Sequence, residues 1–152
     1  MVKKQILAAL VLMSIATTSS YAASGDDILG VWNNQEKDAR IEIQKCGDTY
    51  CGRIVWLKVP NYPEGSSEGV PGTPKVDHNN PDKDLREAPV MGLQIVHDFS
   101  YAGENKWSHG RVYDPKNGRT YSGKLTLVSP AQLNLRGFIG ISLLGRTAVW
   151  TR

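Results

Sequence analysis

The stretch Arg40-Ile41-Glu42-Ile43-Gln44-Lys45-Cys46-Gly47-Asp48-Thr49-Tyr50-Cys51-Gly52-Arg53-Ile54-Val55-Trp56-Leu57 decides the fold class. Apolar and polar residues alternate on both flanks, which is the period of a strand with one buried face. Gly47-Asp48 supplies turn chemistry between them. The segment reads as a β-hairpin, and Cys46 and Cys51 stand where a disulfide would pin its tip. Closing so short a loop stabilises by roughly 2 kcal/mol in the chain-entropy model. A redox or metal-binding role for the pair has less support, because the spacing is longer than C-x-x-C and no second ligand pair is present.

The same rhythm continues outward from the hairpin. Gly30-Val31-Trp32 opens a first strand, and Ala39–Lys45 and Cys51–Leu57 are the pinned pair. Gly92–Phe99 and Lys106–Tyr113 form a second hairpin around Ala102-Gly103-Glu104-Asn105. Asp114-Pro115-Lys116-Asn117-Gly118 is a turn that leads into Thr120–Val128. Gln132–Ile141 and Arg146–Thr151 close the set at about eight strands, with no long helical periodicity in competition. Short strands joined by hairpin-length turns predict an all-β, up-and-down antiparallel barrel. Closure removes both sheet edges, and a barrel of this size either holds one small ligand or is filled by its own side chains.

One segment breaks the rhythm. Lys58–Val90 carries six of the eight prolines and no strand pattern. A connection of this length is a functional lid or rim, or a mobile linker. Asn80-Pro81-Asp82-Lys83-Asp84-Leu85-Arg86 predicts one short helix with Asn80 as its cap. Gly65-Ser66-Ser67-Glu68-Gly69 reads as flexible.

The N-terminus has a different character. Lys3 and Lys4 precede an apolar run from Ile6 to Ile15, and Ser20-Tyr21-Ala22 offers small residues around a cut after Ala22. That is the pattern of a secretory signal peptide over residues 1–22. The run is short for a bilayer span, and no Cys follows it for a lipid anchor. The expected product is a single domain over 23–152, periplasmic or secreted, with no membrane span left. Without Lys3 and Lys4 the net charge falls from +3 to about +1, which argues against nucleic acid as a partner.

Further motifs point to a family. They are Gly30-Val31-Trp32, Cys46-Gly47-Asp48 with Cys51-Gly52-Arg53, Asn80-Pro81-Asp82 with Leu85-Arg86, Tyr113-Asp114-Pro115, and Leu135-Arg136-Gly137-Phe138-Ile139-Gly140-Ile141-Ser142-Leu143-Leu144-Gly145-Arg146. With these the chain resembles, over nearly its whole length after the leader, the bacterial exported family catalogued as domain of unknown function 2147. The resemblance implies a lipocalin-like (calycin-type) barrel. It implies no reaction and no catalytic residues. Gly30-x-Trp32 is also similar to the first strand of lipocalins, where a basic residue from the last strand packs over the Trp. Arg146 or Arg152 would fill that place here, sealing one end of the barrel with Trp32.

The candidate binding residues follow from that shape. Trp32, Trp56, Trp107, Tyr113 and Tyr121 lie on predicted strands, as does Trp150. They either fill the core or line a pocket for a small, mostly apolar or amphipathic ligand. Arg53, Arg111, Arg136 and Arg146 also fall within strands. An inward Arg needs an anionic partner, either a ligand carboxylate, for which Arg136 is the candidate, or an internal acid such as Glu42 or Asp98. Even spacing places Trp107, His109, Arg111 and Tyr113 on one strand face.

Metal sites have weak support. His97 and His109 would face each other if the hairpin were symmetric about Gly103, yet they lack a third ligand. Asp77–Asp84 is rich in oxygen ligands but lacks the Gly and terminal Glu of a calcium loop. Ser100, Ser108 and Ser122 occur outside any Gly-x-Ser-x-Gly, and no carboxylate pair stands out, so no catalytic residue, cofactor or metal is assigned. The expected function is an exported binding protein that carries or senses a small ligand in its barrel. The alternative is an envelope interaction module with a filled barrel that contacts a protein partner through 58–90.

Overall fold

The computed structural model describes residues 24–152, so the leader expected over 1–22 lies outside the described residues. Strands β1 (Gly30–Asn33), β2 (Ala39–Cys46), β3 (Thr49–Leu57), β4 (Gln94–Gly103), β5 (Lys106–Asp114), β6 (Arg119–Ser129), β7 (Gln132–Phe138) and β8 (Arg146–Thr151) each pair antiparallel with the next. β8 meets β1 at Asn33 and Thr151, which closes an up-and-down barrel of eight strands. The alternation in Arg40–Gln44 produces β2 directly, with Ile41 and Ile43 buried and Arg40 exposed. The Cys46–Cys51 disulfide forms near the tip of the β2–β3 hairpin, with Cα atoms 5.9 Å apart. The run expected over Gln132–Ile141 ends as a strand at Phe138, and a single 3-10 turn, Ser142–Leu144, follows it.

Two bulges reset the side-chain phase in the β4–β5 hairpin, and each contains a non-glycine residue at positive φ: Asp98 at 59° and His109 at 63°. A bulge adds one residue to a strand and so flips the faces beyond it. Trp107 therefore points inward beside Leu125, and Gly110 and Val112 continue the inner row. Arg111 and Tyr113 turn to the outer face. The single face expected for Trp107 through Tyr113 is thus split, and His97 stands across from Arg111 rather than His109.

The interior is occupied. Trp32, Phe99, Trp107 and Leu133 have no exposed surface, and Ile41, Ile43, Leu125, Leu135 and Trp150 pack with them. Phe99 lies across the barrel against Gly110 and Gly123. A Cβ at Gly123 would stand 2.5 Å from the end of its ring, and one at Gly110 would overlap it. Glycine is required at both positions because the aromatic ring takes the space of their side chains.

One end of the barrel is plugged by the 3-10 helix Gly25–Ile28. Trp32 Nε1 donates to Ile28 O at 2.8 Å, Trp107 Nε1 to Gly25 O at 3.2 Å, and Tyr50 Oη to Asp26 Oδ1 at 2.7 Å. Arg152 seals the plug. Its guanidinium lies 4.1 Å from the Trp32 ring and donates to the carbonyls of Asp27, Leu29 and Pro130. The barrel-end partner of Trp32 is therefore Arg152, while Arg146 starts β8 near the opposite end and is exposed. The reason is distance along the strand: Trp150 already pairs with Leu133 in the plugged half, so only the next turn of chain reaches Trp32.

The far end carries the connections β1–β2, β3–β4, β5–β6 and β7–β8. The long β3–β4 connection is ordered by short bridges, Asn61 with Pro74 and Val76 with Pro89. Tyr62 is buried, with its ring over Gly69, so the glycine-serine stretch anchors an aromatic. The expected helix is a single 3-10 turn, Lys83–Leu85, and its cap is Asp82, while Asn80 accepts from the Asp82 backbone one step earlier.

Candidate functional site

The long connection is held to the barrel wall by a buried carboxylate. Asp77 is almost completely buried; its Oδ1 accepts from Tyr113 Oη at 2.8 Å and its Oδ2 from Asn80 Nδ2 at 2.7 Å. A buried carboxyl group requires such hydrogen-bond partners. Burial, and then the neighbouring Asp77, pushes the Tyr113 phenol well above its ordinary range. Arg86 Nε donates to Asn80 O at 2.7 Å, and Asn79 Nδ2 reaches the carbonyls of Pro115 and Lys116 in the β5–β6 turn. At Gly118 a Cβ would overlap Asn79 O, so this turn accepts only glycine against the connection.

Between the clamped segment and the outer face of β4–β6 lies a groove of about 320 Å³. Pro81, Leu85, Leu93 and Tyr113 give it apolar walls, and Asn80, Gln94, His97, Arg111 and Thr120 give it polar ones. Arg111 places one amino group 2.6 Å from Asp98 Oδ2 and stands beside His97, its cross-strand partner. His97 Nδ1 is 3.1 Å from Gln94 Nε2. The arrangement offers guanidinium and imidazole groups, with Arg111 paired to Asp98, next to an apolar wall. A second concavity, about 390 Å³, lies by the plugged end among Asp27, Asn105, Leu127, Pro130 and Arg152. Arg152 there is committed to the plug.

The sequence candidates disperse in the fold. Trp32 and Trp107 are fully buried core residues with their indole N–H groups bonded to the plug. Trp56 pairs with Arg40 on the outer face, beneath a guanidinium 4.7 Å from its ring. Tyr121 faces inward at the far end, and its hydroxyl accepts from Asn117. Arg136 donates to Ser142 O, Leu143 O and Thr147 Oγ1, so its guanidinium holds the β7–β8 turn. Of the aromatic candidates only Tyr113 reaches the groove, where it is joined by Arg111 and His97. Arg53, Arg111 and Arg146 are exposed, and none of the strand arginines is buried in the barrel. Among the described residues no group of three potential metal ligands occurs. Asp77 was weighed for calcium and Leu85 as part of a short helix, but nothing in the sequence joins them to Tyr113, since Asp77 meets it across 36 residues and no local pattern announces that contact.

A family model for "Uncharacterized protein conserved in bacteria (DUF2147)" matches residues 30–152. The chain belongs to the DUF2147 family. Among solved structures this DUF2147 chain is similar to protein HP1028 from the human pathogen Helicobacter pylori, described as belonging to the lipocalin family. The two share 19% identity with a TM-score of 0.66, over 82% of this chain and 81% of that one. The likeness is one of fold: a lipocalin-like barrel. No curated protein matches the DUF2147 chain. No helix among its described residues is long and apolar enough to cross a membrane.

Proposed function

We propose that this protein is an exported binding protein for a small amphipathic anion, and that the ligand sits in the groove beside the long connection rather than in the barrel interior. The observation that carries the reading is the groove itself, where Leu85, Leu93 and Tyr113 face His97 and Arg111 within about 320 Å³. That volume lies at the lower end of the range for small-molecule sites. The lipocalin-like fold supports a binding role in general terms. The apolar body of the ligand lies on Leu85 and Leu93, and its acidic group takes the free donors of Arg111. Export is the reading of the leader over 1–22, and the Cys46–Cys51 bridge fits an oxidising compartment.

The test is native mass spectrometry of protein recovered without detergent, followed by organic extraction and amide NMR mapping of the extracted ligand class. A discrete excess mass, with shifts clustered on residues 80–97 and 111–120, is the expected result. Arg111→Ala should weaken binding about tenfold or more, the size of one charge-assisted contact. Shifts centred on Trp32 and Trp107, or binding indifferent to Arg111→Ala, would sink this placement.

The filled interior favours a second reading, a protein-interaction module that uses 58–90. Val70→Asp, at a side chain 68% exposed, would then weaken partner capture with the thermal midpoint unchanged, and unchanged capture would refute it.

A further inference from the structure

The β7–β8 turn is the most apolar exposed element of the described structure. Ile139, Ile141, Leu143 and Leu144 are 65, 60, 83 and 77% exposed. Four large aliphatics within six residues, all projecting from the surface, form the kind of patch that marks an interaction site. The turn is also built with care. Arg136 donates to the carbonyls of Ser142 and Leu143, and Gly145 N–H bonds to Ser142 O at 3.1 Å. A Cβ at Gly145 would stand 2.6 Å from Gly137 O, so the turn lies pressed onto the end of β7. Its apolar tip is thus presented in one shape.

The segment that carries the turn has charge of one sign. From Pro115 to Arg152 the chain contains six Lys and Arg and no Asp or Glu. Three of these cations border the turn. Arg136 holds it, Arg146 follows it directly, and Lys124 pairs with Arg136 and places its ammonium 5.8 Å from the Phe138 ring. Asp38, an acid at the same end of the barrel, is neutralised by Lys116 at 3.0 Å.

We propose that this turn docks the barrel onto an anionic lipid bilayer, with Ile139, Ile141, Leu143 and Leu144 entering the interface and Lys124, Arg136 and Arg146 resting among acidic headgroups. Aliphatic side chains inserted beside basic ones are the pattern of interfacial anchoring, and the charge complement is what selects acidic lipid. A protruding aliphatic tip suits a fluid surface, which needs no matching pocket.

The experiment is vesicle co-sedimentation with protein recovered from cells, its N-terminus fixed by intact mass and identical in every variant. The probes are phosphatidylcholine vesicles with and without phosphatidylglycerol. Wild-type protein is expected to bind the anionic vesicles about tenfold better than the neutral ones, with that preference lost in high salt. Leu143→Asp with Leu144→Asp should lower binding by about tenfold or more at an unchanged melting temperature, since both side chains are exposed. Lys124→Glu with Arg146→Glu should erase the preference for phosphatidylglycerol. No binding by wild type, or equal binding by the Asp variant, overturns the proposal. A solution dimer that Leu143→Asp dissociates also overturns it and assigns the turn to a second copy of the chain.

Discussion

Replacing Phe99 by alanine tests whether the barrel is full. The ring is completely buried and lies against Gly110 and Gly123, neither of which has a side chain to move into the space it leaves. Removing the ring loses a transfer term of about 2 kcal/mol. It also leaves a void of roughly 100 Å³, which at about 24 cal/mol per Å³ costs a further ~2 kcal/mol. The expected destabilisation is about 4 kcal/mol, read from urea denaturation followed by Trp fluorescence. The same change makes a dry apolar cavity in the middle of the barrel. Benzene should bind the variant, raise its unfolding midpoint and shift the amides around Gly110 and Gly123, whereas wild-type protein should show none of these effects. A loss below about 1.5 kcal/mol would mean that the site collapses and the interior is loosely packed. Benzene uptake by wild type at the same place would mean that a cavity already exists there, and the ligand would belong back inside the barrel.

Other predictions concern the plug and the hairpin. Arg152→Ala removes a stacked cation and three carbonyl bonds and should cost about 2 kcal/mol by thermal or urea melting, whereas Arg146→Ala should stay within about 0.5 kcal/mol. Replacing Cys46 and Cys51 together by Ser should cost roughly 2 kcal/mol, from loop closure alone. Burial and the Asp26 carboxylate push the Tyr50 phenol up to about 12 from the ordinary 10. The folded state then holds that proton more tightly than the unfolded one, so its stabilisation is complete below pH 10 and is lost as pH rises toward 12. Tyr50→Phe should flatten the stability profile in that window, and in ultraviolet titration Tyr50 and Tyr113 should ionise last. Tyr113→Phe leaves the buried Asp77 with one donor fewer and should cost about 1–3 kcal/mol, with increased amide exchange over 75–90.

Much of the barrel was legible because its information is local. Alternation in Arg40–Gln44, the turn at Gly47-Asp48 and the hairpin spacing after Asp114 are each read within a few residues, and the up-and-down order follows from short connections. The bulges were not legible. His109 and Asp98 adopt positive φ with no glycine to announce it, and one added residue moved Tyr113 away from the face of Trp107. Face assignment fails wherever a strand carries such an insertion, because the period of two has no tolerance for it. The choice of Arg152 over Arg146 depended on how far β8 extends past Trp150, a register fact. The groove was hidden for a third reason: its walls come from residues 80–97, 111–113 and 120, joined only through the Asp77–Tyr113 contact.

The reading of the strand aromatics bears on function. Aromatics on strands were candidates for ligand contact because a barrel of eight strands has room inside. In this chain the room is taken by Phe99 where Gly110 and Gly123 meet, and Trp32, Trp107 and Trp150 occupy the plugged half. Among the described residues no strand arginine lies inside the barrel, since each has turned outward or holds a turn. The groove and the apolar turn proposed above as binding surfaces both lie at the periphery of the far end. There the bulges bring Arg111 and His97 to the outer wall, the Asp77 clamp lays the long connection beside them, and Arg136 fixes the apolar β7–β8 turn. Core and periphery are coupled through those bulges. The same insertion that sends Val112 inward to pack near Gly123 sends Arg111 outward to the groove, so a change that straightened β5 at His109 would empty the groove and unpack the core together.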